Sequence, residues 1–91
     1  MNRERRKELA KAIKMLEEAS ESLEGAKSII EECKDEEEEC YDNLPEGVQE
    51  SERGDALSEN VDSLDDVLSE LESIRDLIED DIALIQEVID R

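Results

Sequence analysis

LAKAIKMLEEASESLEGAKSIIEEC, residues 9–33, is the stretch that decides the fold. Leu9, Leu16, Leu23 and Ile30 recur every seven residues, and Ala12, Ala19, Ala26, Cys33 and Cys40 recur at the same interval three residues later. A seven-residue apolar repeat holds one stripe of an α-helix against a partner helix. Large residues on one row and small ones on the next predict a coiled-coil seam in which two backbones approach closely.

The first helix is expected over residues 2–41, with Asn2 as its cap and Gly25 as its one weak point, a place that could admit a neighbouring helix. Asp42, Asn43, Leu44, Pro45, Glu46 and Gly47 end it, because Pro45 holds Leu44 out of the helical region and lacks a donor of its own. Within the loop, residues 42–51, Val48–Glu50 can make one short helical turn, and Ser51 is the best cap for the second long helix. That helix is expected over 52–90. Its seam reads Leu57, Val61, Leu64, Leu68, Leu71, Arg75, Ile78, Ile82, Ile85 and Ile89, in steps of four and three. Two helices of nearly equal length on a short polar loop pack antiparallel. Folding about the middle of the loop pairs Leu9 with Ile85 and Leu16 with Ile78, and sets Arg75 opposite Ala19. The expected fold is therefore all-α, a single antiparallel two-helix hairpin over residues 1–91.

Such a hairpin hides one face of each helix. The second helix is wider than the Leu/Ala face can cover: Val67, Ile74 and Val88 broaden it on one flank, Leu77 and Leu84 on the other. Ile13, Met15 and Ile29 lie beside the first seam. These eight residues are the candidate oligomer interface, and a second copy covering them would make a four-helix dimer.

Charge is the second strong signal. The net charge is −19, with 45% charged residues and one aromatic, Tyr41. That balance repels nucleic acid, anionic membrane and phosphate, and suits a basic partner. Disorder is opposed by 22 Leu, Ile and Val residues in regular spacing. Residues 1–14 carry Arg3, Arg5, Arg6, Lys7, Lys11 and Lys14 against Glu4 and Glu8, a local +4 that leaves −23 on the rest. The basic end either pairs with Asp76, Glu79, Asp80, Asp81, Glu87 and Asp90 of the second helix or docks on an acidic partner or another copy. The stretch 31–42 holds the candidate partner-binding face: Glu31, Glu32, Asp35, Glu36, Glu38, Glu39 and Asp42. It is either a solvated helix face or a mimic of the nucleic-acid backbone. Duplex DNA carries about 34 charges over a ~57 Å length, and −23 is about two-thirds of that.

Catalytic equipment is sparse. There is no histidine, so the commonest general base is missing, and no serine or cysteine has a triad partner. Cys33 and Cys40 lie about 10 Å apart on one helix, too far to bridge, and lack partners for structural zinc. They read as reduced, buried small residues, or as the source of an inter-subunit disulfide. Asp42, Glu46 and Gly47 match three positions of a calcium loop, but Leu44 and Arg53 take the third and twelfth. The expectation is no enzyme, no cofactor and no metal. No segment is apolar enough to span a bilayer or to serve as a signal core, which predicts a cytoplasmic protein.

The turn Tyr41-Asp42-Asn43-Leu44-Pro45-Glu46, followed by Gln49 and Ser51-Glu52-Arg53, resembles a motif of small acidic helical-hairpin proteins of gram-positive phages and prophages. Gly47 and Gly54 stand where that pattern favours helix formers, which predicts a looser turn. The resemblance implies a hairpin working inside a bacterial host cell and carries over no functional residue. Three functions are compatible with the sequence. The first is a non-catalytic anti-defence inhibitor that blocks a basic host protein, such as a nuclease or a nucleic-acid-binding defence complex, by nucleic-acid mimicry. The second is a structural module that oligomerises or docks through its apolar seam. The third is a sponge for a small signalling molecule, for which only the basic end, Arg53 and Arg75 supply positive groups.

Overall fold

Asn2 starts the first helix: its side-chain oxygen accepts the Arg5 amide at 2.8 Å, satisfying one of the donors a helix start leaves open. In the computed structural model, which describes residues 1–91, α1 runs Arg3–Asp42, α2 Glu46–Gln49 and α3 Glu52–Asp90. The long elements match the expected spans to within a residue or two, and no strand is present. No neighbour lies within 4 Å of a methyl group built on Gly25, so the close approach expected there is not made within the chain. Gly25→Ala is accordingly expected to raise stability by about 1 kcal/mol, the helix penalty of glycine. Urea unfolding followed by circular dichroism measures this, and a lowered midpoint would contradict it.

The turn is built by its polar side chains. Pro45, with φ −58° and ψ 146°, precedes α2, and its carbonyl accepts the Val48 and Gln49 amides at 2.8 and 3.1 Å. The Gln49 side-chain amide donates to the Tyr41 carbonyl at 3.1 Å, which also accepts the Leu44 amide at 3.1 Å, so α2 is tied to the end of α1. Ser51 caps α3 as expected: its Oγ accepts the Gly54 amide at 3.5 Å, and its hydroxyl donates to the Val48 carbonyl. The expected loosening at Gly54 is wrong. Gly54 is buried, and a Cβ there would lie 2.8 Å from the Gln49 Cα and overlap its carbonyl. Glycine lets α2 fold directly onto the first turn of α3.

Burial follows heptad rows, with one correction. In α3 every seam residue from Leu57 to Ile89 is half-buried, as expected. In α1 the row Leu9, Leu16, Leu23, Ile30 is also half-buried. Its companion row, however, is Arg6, Ile13, Ser20, Lys27, Lys34 and Tyr41, four residues after each large residue rather than three. Of the expected small-residue row Ala12 and Ala26 are half-buried, but Ala19, Cys33 and Cys40 are exposed, so the cysteines are not the buried small residues expected. The repeat alone admits either companion row. The row containing Ile13 removes more apolar area from water, and the stems of Lys27 and Lys34 can lie along the partner helix with their heads outward.

Register differs as well. Across the two helices, Lys34 meets Asp65 at 3.1 Å, Asn60 donates to Glu37 at 3.0 Å, and Arg75 meets Glu24 at 2.7 Å. Their numbers add to 99, 97 and 99, not to 94, a displacement of about one turn. The cause is the turn: with Gly54 against Gln49, the first turn of α3 lies beside α2 instead of beside α1. Arg75 is therefore level with Leu23, not Ala19, and bridges Glu24 and Glu79, the latter at 3.5 Å.

Contacts divide the chain into two compact units. The terminal unit joins residues 1–25 to 72–91. It contains Ile13, the one buried apolar side chain of the protein at 7% exposure, and the Arg75 ion pairs. The turn unit, residues 26–71, contains the α2 connection and the Lys34–Asp65 and Glu37–Asn60 pairs.

Ile13 thus leaves the set of expected oligomer-interface residues, because it is spent inside the terminal unit. Val88 is half-buried beside the seam. Met15, Ile29, Val67, Ile74, Leu77 and Leu84 remain exposed, at 38–70%. Val67, Ile74, Leu77, Leu84 and Val88 do not sit on opposite flanks as expected. Their steps of three, four and seven residues place them in one stripe, about 100° around α3 from the seam.

Candidate interaction surface

An antiparallel pair has two flanks, and each brings matching heptad rows of both helices together. In the terminal unit one flank is marked by Arg75–Glu24, and in the turn unit one is marked by Lys34–Asp65. The other is marked in the turn unit by a shallow groove lined by Cys33, Glu37, Asn60, Ser63 and Leu64.

The first flank is acidic. In the turn unit it carries Glu31, Asp35, Glu38 and Asp42 of α1, joined by Asp55, Asp62 and Asp65 of α3; all seven are exposed. The three aspartates were not legible as members of this face, because only the register decides which α3 row comes beside α1. Of the other expected partner-binding residues, Glu32 and Glu39 face away from α3, and Glu36 lies toward the opposite flank. The expected set therefore wraps about 160° of the helix at 100° per residue and is not one flat face. Glu37, left out of that set, turns into the seam and accepts the Asn60 hydrogen bond.

Two bases, Lys27 and Lys34, border this face in the same heptad row, and Lys34 is the one paired with Asp65. The Asp65 hydrogen bond and charge hold its ammonium above the usual lysine value of 10.5, with slight opposition from desolvation and further support from Glu38 and Asp35. A raised lysine pKa contributes stability that is fully present below 10.5 and is lost only as the pH rises through the folded value. The pair is therefore intact throughout the neutral range. With side chains 22% and 64% exposed, it orients the face more than it stabilises it.

The basic end does not pair with α3. Its ion pair is local, Lys11 to Glu8 at 3.3 Å on the same helix, and the expected contacts with Asp76, Glu79, Asp80, Asp81, Glu87 and Asp90 are not formed. Arg75 is engaged by two carboxylates. An open polar cleft at the turn is lined by Tyr41, Glu46, Gly47, Gln49 and Glu50 and holds no basic group. No three histidine, cysteine, aspartate or glutamate side chains come together in a metal-ligand cluster. No helix is long and apolar enough to cross a membrane.

The fold and surface define an all-helical protein in which two long helices pack together, with a row of exposed carboxylates in the turn unit and exposed apolar side chains in each unit. No family model, curated protein or solved structure matches the chain.

Proposed function

We infer that the protein is a non-catalytic interaction module that offers the acidic flank of its turn unit to a basic surface on another protein. The observation that carries this reading is the set of seven exposed carboxylates on two paired helices, with Lys34 beside them paired to Asp65. Helices hold charges at set spacings, so a basic groove that accepts regularly spaced phosphates can accept them too. The turn's resemblance to phage proteins makes a nuclease or other nucleic-acid-binding defence protein of a bacterial host the natural target. The finer reading is then an anti-defence inhibitor acting by nucleic-acid mimicry in the host cytoplasm.

The test is capture from host lysate at rising salt, followed by a variant with Glu31, Asp35, Glu38 and Asp62 changed to their amides. Binding through charge weakens steeply with salt. The variant is expected to retain less than a tenth of the captured partner. Capture insensitive to both changes would remove the charge-based reading.

A second reading, a structural module that docks or assembles through apolar side chains, is favoured by the six large apolar residues left exposed. Charge reversal at Glu31, Asp35 and Glu38 abolishes the first mode and spares the second, and polar replacement of Leu77 and Leu84 does the opposite. The sponge reading ranks below both, since Arg75 is already paired within the chain.

A further inference from the structure

We propose that α1 pairs antiparallel with α1 of a second copy through a second heptad seam formed by Ala12, Met15, Ala19, Ser22, Ala26 and Ile29. The proposal does not rest on the acidic-flank reading, since it needs no basic partner.

The six residues succeed one another in steps of three and four, the same spacing as the seam inside the chain. They form a stripe about 100° around α1 from that seam. None is charged, in a chain with 45% charged residues, and the stripe stays uncharged through Cys33. Helices whose only task is to face water do not keep such a stripe clear. Met15 and Ile29 stand 70% and 65% exposed on it, Ala19 and Ser22 are exposed, and Ala12 and Ala26 are half-buried at its edge.

Surface area indicates how much must be covered. A folded monomer of 10.4 kDa is expected to expose about 5,400 Å², whereas this chain exposes 6863 Å². The excess of about 1,500 Å² per chain falls within the range obligate homodimers bury on each subunit. In the terminal unit Ile74, Leu77 and Leu84 of α3 flank the same side, so α3 rows close on one another beside the α1 pair.

Direction is set by packing and charge together. With copies antiparallel, the layers alternate large against small: in one register Met15 meets Ala26 of the other copy and Ile29 meets Ala12. Shifting by a heptad sets Met15 against Cys33 and Ile29 against Ala19. Either arrangement is two-fold symmetric, so one patch completes itself. Residues 3–14, with a net +4 and no partner on α3, then come level with the acidic 31–42 stretch of the other copy. Parallel copies would instead stack base on base and acid on acid, which costs energy at each end.

Cross-linking tests the geometry directly. In a Cys33→Ser, Cys40→Ser background, one cysteine is placed at residue 15, 22 or 29, and the products are treated with a short bismaleimide. In the antiparallel pair, residue 22 lies within about 6 Å of its own mate along the axis, and residue 15 lies as close to residue 29 of the other copy. Residues 15 and 29 are each about 15 Å or more from their own mates. Ser22→Cys alone and mixed Met15→Cys with Ile29→Cys are expected to give at least fivefold more dimer than Met15→Cys or Ile29→Cys alone. Sedimentation should give at least twice 10.4 kDa, and Leu77→Glu with Leu84→Glu should return the chain to monomer while it stays helical. Equal cross-linking of all single variants, a monomer at every concentration, or a larger assembly lacking the mixed cross-link overturns the proposal.

Discussion

Gly54→Ala is expected to destabilise the protein by about 2–3 kcal/mol, the cost of forcing an atom into a packed site. The added methyl would meet backbone, the Gln49 carbonyl and Cα, and not the movable end of a side chain. Relief requires α2 to lift from α3. That movement pulls Gln49 from the Tyr41 carbonyl and weakens the Ser51 cap, whose loss alone costs about 1 kcal/mol. It also frees the one-turn displacement of register that the turn imposes. Urea unfolding of the variant, followed by circular dichroism, checks the size of the effect. A loss below 1 kcal/mol would mean that the turn opens without cost. The contrast with Gly25→Ala is the internal control: the same substitution, in the open, is expected to act with the opposite sign.

Ile13→Ala is expected to cost about 2–4 kcal/mol, in the range for emptying a buried branched side chain. Small domains have only about 5–15 kcal/mol to lose, and this one has a single apolar side chain below a tenth exposed. The half-buried leucines and isoleucines share the load along the seam, but none is enclosed as Ile13 is. The variant should show a lower thermal midpoint and faster amide exchange in residues 1–25 and 72–91 than in 26–71, since those residues form one unit around it. Equal loss of protection in both units, or a cost below 1 kcal/mol, would show that Ile13 does not anchor the terminal unit.

Much of the fold could be read from short-range signals. Asn2 and Ser51 cap their helices because an oxygen one turn ahead of an open amide is a local arrangement. The α3 seam was legible because its ten residues leave a single stripe in which to lie. The α1 seam was only half legible: Leu9, Leu16, Leu23 and Ile30 were sound, but rows three and four residues away are equal neighbours on a helix. Burying Ile13 and leaving Ala19 exposed needs the partner helix, which rewards the larger side chain. The turn's tightness was misread because glycine was weighed as a poor helix former, when Gly54 is there for the close approach of Gln49.

The candidate surface divides in the same way. Acidic residues 31–42 were evident from composition, and most of them are exposed. Asp55, Asp62 and Asp65, more than a dozen residues further along the chain, join Glu31, Asp35, Glu38 and Asp42 only once α3 is set against α1 in register. The six exposed apolar residues were named individually from the sequence. That they stay exposed while Ile13 is removed from among them required the tertiary structure.

By itself, then, the sequence determined two long capped helices, a proline-led turn between them and a strongly acidic surface, because each depends on residues within a turn or two of one another. The tertiary structure decided which α1 row pairs inward, how far α3 is displaced, and so which charges and which apolar side chains share a flank. Those depend on one backbone contact, Gly54 on Gln49, and on the burial of one side chain, Ile13. Both are encounters between parts of the chain that helical periodicity treats as independent.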